Sequence, residues 1–73
     1  MQIERDRFVR LLWELGFEYV TNSSSGQVYW LGGQKVIEVP RALTLEYAWA
    51  FDSLLRCGFG YAQADSILSG LLA

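Results

Sequence analysis

Apolar residues recur at helical spacing in the first segment of the chain, and this predicts a helix over residues 3–15. Gly16 follows at the position where glycine commonly ends a helix, with Phe17 able to fold back on the last turn. Trp13 lies on the flank of the helix, where it either borders the core or serves as an interface residue. The predicted apolar face consists of Phe8, Leu11, Leu12 and Leu15.

Short segments rich in β-branched and aromatic residues come next, and they predict strands over residues 17–21, 27–31 and 34–39. Gly32 and Gly33 suit a tight hairpin turn, because such a turn needs residues that adopt positive φ. Pro40 ends the third strand, since it has no backbone N–H to donate. The three strands therefore form an antiparallel meander.

A second helix is predicted over residues 45–57, with Thr44 as its N-cap and Glu46 in its first turn. Gly58 repeats the arrangement of the first helix end. The predicted core face is Tyr47, Ala48, Phe51, Leu54 and Leu55, and the opposite face is Glu46, Trp49, Ser53 and Arg56.

Trp49 is thus an aromatic residue on a polar helix face. Together with Arg56 it resembles the anchor of a protein interface, where Trp and Arg are enriched. The alternative is that the C-terminal tail covers it.

A short third helix is predicted near residues 61–70, and the residues at and beyond its end are strongly apolar. This tail must dock, either on its own domain or on another chain. Its apolar residues are Ile67, Leu68, Leu71 and Leu72.

The element order predicts an α+β fold in one domain spanning residues 1–73. Strands joined by short turns, with helices before and after them, imply a two-layer α-β-β-β-α sandwich with a short C-terminal helix. Both long helices would then pack on one face of the sheet. The other face would be solvated or would meet a partner.

The composition points to an interface. Hydrophobic residues make up 52% of the 73 residues and charged residues 19%, against about 25% charged in an average soluble domain. So small a domain cannot bury all of them, and an exposed apolar patch is expected. We therefore expect a protein partner or a homo-oligomer. The candidate interface residues are Trp13, Trp30, Trp49, Arg56, Leu71 and Leu72.

Charge and cysteine content exclude several classes of site. Cys57 is the only cysteine and there is no histidine, so we expect no disulfide, no metal and no cofactor. The charged N-terminus resembles no signal peptide, and no apolar run is long enough to span a membrane. The expected location is the cytoplasm.

The net charge of −2 lowers the expectation of a nucleic-acid partner, because phosphate binding needs a basic surface. A basic strip near the N-terminus keeps RNA as an alternative partner. Acidic residues interleave with this strip, so it also fits an ordinary solvated helix face. The candidate RNA-binding residues are Arg5, Arg7, Arg10 and Lys35.

Several segments, in this order, resemble the HicA (YcfA-like) toxin family, whose fold is like that of double-stranded-RNA-binding domains. A leucine-rich helix end is followed by Gly16 and Phe17, and an apolar–aromatic pair stands at Val28 and Tyr29. A strand ends in valine and proline at residues 39–40, and a second helix ends in a small residue, glycine and an apolar residue at residues 57–59. The resemblance covers about residues 5–70.

The family cleaves RNA with a catalytic histidine, and the resemblance places that position at Gly26, with Gln27 beside it. Neither residue titrates, so the acid–base step of the family has no group here. The family's Gly-Thr before the second helix is also missing, and its usual basic charge is reversed.

No other catalytic group replaces the histidine. The carboxylates form no evident pair, and Ser23, Ser24 and Ser25 have no base and fit a turn. The predicted function is therefore that of a catalytically silent HicA-like module that binds protein, as a regulator, decoy or inhibitor linked to a toxin–antitoxin or mobile-element system. The alternative is an RNA-binding relative of the family's toxins.

Overall fold

The computed structural model describes residues 1–32 and 34–71. They form an α+β fold, which confirms the predicted class, the three-stranded antiparallel meander and the short C-terminal helix. In chain order the elements are β1 (Gln2–Glu4), α1 (Arg5–Glu14), β2 (Glu18–Asn22), β3 (Gly26–Leu31), β4 (Lys35–Pro40), β5 (Thr44–Glu46), α2 (Tyr47–Arg56) and α3 (Tyr61–Ser69).

The meander has the strand order β2-β3-β4, with β3 in the centre. Tyr29 lies opposite Ile37 in β4, and the ladder runs without interruption from Gly26 to Leu31. The ladder between β2 and β3 shifts register between Tyr19 and Thr21. Because side chains alternate along a strand, Tyr29 and Ile37 enter the core while their neighbours face the other way.

A second sheet of two strands was not predicted from the sequence. Ile3 of β1 pairs with Leu45 of β5, and both side chains are buried. Two further backbone bonds extend the pairing, since Tyr47 N donates to Met1 O at 3.0 Å and Arg5 N donates to Leu43 O at 2.9 Å. This sheet, which we call the clasp, joins the start of α1 to the start of α2.

The clasp corrects the predicted helix starts. The first helix begins at Arg5 rather than at residue 3, because residues 2–4 are extended. The second begins at Tyr47, and Thr44 lies in β5 instead of capping it. Glu46 occupies the N-cap position without a side-chain capping bond.

The predicted glycine helix ends are confirmed. Gly16 has φ of +99° and Gly58 has φ of +93°, a region that residues with a Cβ rarely adopt. After α1, Gly16 N donates to Trp13 O at 3.0 Å and Phe17 N donates to Leu12 O at 2.8 Å. This pair of bonds is the Schellman motif, and it turns Phe17 into the core.

One hydrophobic core joins all three helices to both sheets. The predicted core face of α2 was partly wrong, since Ser53 is buried and Ala48 is exposed. The reason is that neighbours cover α2 on two flanks: Phe51 meets Tyr61 of α3 on one, and Trp49 reaches the core on the other. The core residues are Ile3, Phe8, Leu12, Phe17, Tyr29, Ile37, Val39, Leu45, Ala50, Leu54, Cys57, Ala64 and Leu68.

The C-terminal tail docks on its own domain as far as Leu71, which is half-buried against the core. Arg7 of α1 holds this end, with its guanidinium donating to Gly70 O at 3.3 Å and to Leu71 O at 3.4 Å. Leu72, which we predicted as an interface residue, lies outside the described residues. No helix in residues 1–32 and 34–71 is both long and apolar enough to cross a membrane.

Candidate functional site

Gly26, where the HicA resemblance places a catalytic histidine, has no room for a side chain. It is buried at the start of β3, opposite Pro40 at the end of β4. A Cβ on Gly26 would overlap the carbonyl oxygen of Val39 and lie 2.7 Å from its carbonyl carbon. The glycine is thus required by close approach of two backbones.

The neighbouring Gln27 faces a cleft of about 530 Å³, which we call the Gln27 cleft. Its amide oxygen accepts hydrogen bonds from the Arg5 guanidinium and, at 3.4 Å, from the Tyr29 hydroxyl. An amide does not titrate, so Gln27 can orient a ligand but cannot transfer protons. The cleft is lined by Glu4, Arg5, Asp6, Gln27, Arg41, Leu43 and Thr44.

The Arg5 side chain connects separate elements of the chain through hydrogen bonds. Its side chain is only 16% exposed, and its Nε donates to Pro40 O at 2.9 Å while the guanidinium also reaches Gln27. These bonds connect the start of α1 to the ends of β3 and β4. Arg5 therefore donates its hydrogen bonds within the chain, although we predicted it as an RNA-binding residue.

No role was predicted for Arg41 from the sequence, yet this residue borders the Gln27 cleft. Its guanidinium donates to Ser23 O at 2.6 Å and to Ser24 O at 3.1 Å. It thereby holds the β2–β3 turn, which agrees with the prediction that the serines are turn residues. Nothing in the local sequence pattern points to this contact, because Arg41 and the turn come together only through the meander.

The predicted RNA-binding residues do not converge on one surface. Arg10 is exposed on α1 and borders a groove of about 380 Å³ together with Arg7, which holds the tail. Lys35 lies at the end of α2 instead, with its ammonium beside Gly58.

Cys57 is 2% exposed at the end of α2. Burial raises the pKa of its thiol, and the positive charge of Lys35 offsets part of that rise. A thiolate is the nucleophilic form of cysteine, so this thiol is in an unreactive state near neutral pH. Cys57 is part of the core.

The three tryptophans have different environments. Trp13 on α1 is 63% exposed and Trp30 on β3 is 41% exposed. Trp49 is half-buried, with its ring edge-to-face against Phe8 at a centroid distance of 5.7 Å. The expectation of an exposed Trp49 was wrong, because α1 covers one side of its ring.

Arg56 is exposed and forms an ion pair with Asp52 one helical turn earlier, at 2.9 Å. A cavity of about 210 Å³ separates this flank of α2 from β4. It is lined by Val36, Ile37, Glu38, Trp49, Ser53 and Arg56.

Side chains on the side of the meander away from the core form what we call the outer face. Trp30 lies opposite Val36 of β4 and opposite Glu18 of β2, and Val28 lies opposite Glu38. Val36 is 54% exposed, and Trp30, Val28 and Val36 lie outside the core cluster. The outer face is therefore an apolar strip between two carboxylates, made of Glu18, Val28, Trp30, Val36 and Glu38.

Sequence reasoning identified Trp30 but missed Val28 and Val36 as its neighbours. The signal was present, because Val36 and Glu38 alternate with the buried Ile37 and Val39. The strand register that sets Val36 beside Trp30 had to come from the structure.

Residues 1–32 and 34–71 contain no group of three His, Cys, Asp or Glu side chains placed to hold a metal ion. No protein-family model, curated protein or solved structure matches this chain. Membership of the HicA family therefore stays a prediction from the sequence motifs.

Proposed function

We propose that this chain is a catalytically silent, HicA-like module that acts by binding another protein through its outer face. The observation that carries the proposal is the exposure of Trp30 and Val36, with the half-buried Val28 beside them, on the face of the meander away from the core. Exposed apolar strips with a tryptophan at their centre are common at protein interfaces.

The surroundings of Gly26 support a non-enzymatic role. Catalysis as in the HicA family, which this chain resembles, needs a titratable side chain at Gly26. The Val39 backbone occupies the space that such a side chain would fill. Gln27 supplies hydrogen bonds without proton transfer, and the Cys57 thiol is buried and protonated. A module with this fold and no catalytic group fits a regulator, decoy or inhibitor in a toxin–antitoxin or mobile-element system.

RNA binding has less support than protein binding. Arg5 and Arg7 donate hydrogen bonds within the chain, and Lys35 lies at the end of α2. A gel shift with single- and double-stranded RNA at two salt concentrations tests the alternative. Salt-dependent binding that Arg10→Ala weakens would favour RNA, because loss of a phosphate contact reduces the salt dependence of affinity.

Affinity capture from the native host tests the proposed function. We expect immobilised wild-type protein to retain a specific partner that Trp30→Ala loses by tenfold or more. The matched control is Leu43→Ala, which removes a more exposed apolar side chain from outside the meander. Equal capture by wild type and Trp30→Ala, with both variants folded by circular dichroism, would contradict a role for the outer face.

A further inference from the structure

We infer that the outer face receives an amphipathic α-helix of a partner protein, whose apolar stripe is flanked by lysine or arginine. This inference rests on the proposed function and specifies the chemistry of the partner. It is argued from the width of the face, from the placement of its charges and from the size of its apolar strip.

The width of the outer face fits one helix. Three strands at a spacing of about 4.8 Å place the outer strands about 10 Å apart. An α-helix with its side chains is about 10–12 Å in diameter. A helix lying on Trp30 therefore reaches from β2 to β4. On the opposite face, Tyr29 and Ile37 share one core with residues of the three helices.

The charges of the outer face are acidic and sit at its two borders. Glu18 lies opposite Trp30 on the β2 side, and Glu38 lies opposite Val28 on the β4 side. The Glu38 carboxylate accepts a hydrogen bond from the Ser23 hydroxyl, which fixes it near the β2–β3 turn, at the end of the face away from Trp30 and Glu18. A partner with an apolar centre and cationic flanks matches this arrangement, and an acidic partner would be repelled.

Basic residues near the meander have other contacts. Arg56 lies beyond β4 across the small cavity and is paired with Asp52 at 2.9 Å. Lys35 lies opposite Leu31, which packs on the core, and so belongs to the other side of the sheet. Arg41 binds the carbonyl oxygens of the β2–β3 turn. These contacts leave Glu18 and Glu38 to set the charge of the outer face.

A second copy of the chain fits the outer face less well. A symmetric dimer places the same surface of both copies in contact. Such a contact would gather the Glu18 and Glu38 carboxylates of two copies around apolar side chains, and Arg56, the cation that borders the face beside Glu38, is already paired with Asp52. Burying unpaired charges is costly, so a partner that brings its own cations is favoured.

The size of the apolar strip also determines the affinity that we expect for the partner helix. Val28, Trp30 and Val36 make a contact at the small end of specific interfaces, which bury about 1,200 Å² or less in transient complexes. We therefore expect a dissociation constant in the micromolar range, with Trp30 contributing most of the affinity.

A display library of a 16-residue helix tests the inference. The library keeps leucine along one stripe and randomises the flanking positions among lysine, glutamine and glutamate. Selection uses the wild-type protein, with counter-selection on Trp30→Ala. We expect enrichment of lysine at the flanks, and a selected peptide should bind by fluorescence anisotropy at least tenfold more weakly to Trp30→Ala and about fivefold more weakly to Glu18→Lys. Leu43→Ala, at an exposed position outside the meander, should bind like wild type.

Enrichment of glutamate, or of no residue over the starting library, would overturn the inferred partner chemistry. The proposed function has a separate readout, because host capture that depends on Trp30 supports an interface of any chemistry. Sedimentation of the protein alone completes the comparison. A dimer that Trp30→Ala dissociates would keep the outer face as an interface and replace the helix with a second copy.

Discussion

At the scale of single residues, Gly26 shows how a backbone contact can exclude a side chain. The carbonyl group of Val39 occupies the place of a Cβ, so the glycine stabilises the junction of β3 and β4. The sequence showed that no histidine stands here, but it could not show why. The close approach follows from the register of two strands, which residue types alone do not specify.

Gly26→Ala should destabilise the fold, since it forces the β3 and β4 backbones apart. We expect a loss of about 1–3 kcal/mol in the free energy of unfolding, as for other overpacked sites, measured by urea denaturation. Gly70→Ala is the matched control, because a Cβ there meets only Ile67 O at 3.7 Å. Similar stabilities for the two variants would show that the Gly26 backbone can move.

Arg5→Ala should also destabilise, because it leaves Pro40 O and the Gln27 amide without their charged donor. A loss of about 1.5–3 kcal/mol is expected for hydrogen bonds to a charged group. Arg10→Ala, at an exposed position of the same helix, should stay within about 0.5 kcal/mol of wild type. Urea titrations of both variants decide between a structural and a ligand-binding role for Arg5.

The buried Cys57 thiol predicts how the stability of the fold depends on pH. Burial raises the pKa of its thiol in the folded chain, whereas an unfolded cysteine ionises near pH 8.5. Above about pH 8.5 the unfolded state thus holds fewer protons, so stability decreases as pH rises. Under reducing conditions from pH 8 to 10, wild type should lose stability more steeply than Cys57→Ala. Parallel curves would show that the thiol titrates alike in both states.

At the scale of elements, the regular patterns were predictable and the clasp was not. Helix α1 and the meander follow from periodicity and from Gly16, which act within a few neighbouring residues. Each clasp strand has three residues and one buried side chain, too short for an alternating pattern. Its pairing joins distant parts of the chain, so local propensity carries no signal for it.

The environment of Trp49 was unpredictable for a related reason. A helical projection orders residues around α2, but it cannot say which sides have neighbours. Phe8 of α1 meets the ring of Trp49, and so a face that looked polar is partly covered.

Ile3→Ala tests the contribution of the clasp. Ile3 is fully buried opposite Leu45, and removing a large aliphatic side chain from a core costs about 2–5 kcal/mol. Thermal and urea unfolding should both show the loss. Leu43→Ala, next to β5 and 89% exposed, should have almost no effect. A similarly small effect for Ile3→Ala would mean that the clasp frays without harm to the core.

At the scale of the whole molecule, the fold has a covered and an uncovered side. The described residues span 28 × 25 × 18 Å, and the helices lie on one side of the meander. The composition predicted an exposed apolar patch, and the structure places part of it on the outer face. The sequence alone could not identify the partner, because the face that would bind it is assembled from three strands.

A double change, Trp30→Lys with Val36→Lys, should separate binding from folding. Both side chains lie outside the core, so the free energy of unfolding should change by no more than about 0.5 kcal/mol each. Partner capture should be lost, and solubility should rise as the apolar strip disappears. Cooperative unfolding by circular dichroism, beside a capture assay, checks both parts. A large loss of stability would assign the strip to folding.

The clasp finally determines the order in which strands can pair while the chain is being synthesised. Gln2 and its partner Glu46 are 44 positions apart, and a ribosome adds about 5–20 residues per second. The first strand of the nascent chain therefore waits roughly 2–9 s for its partner, whereas hairpins form in about 1–10 μs. The meander can close long before β5 is made, and in that interval the Ile3 side chain has no Leu45 to pack against and stays open to chaperones.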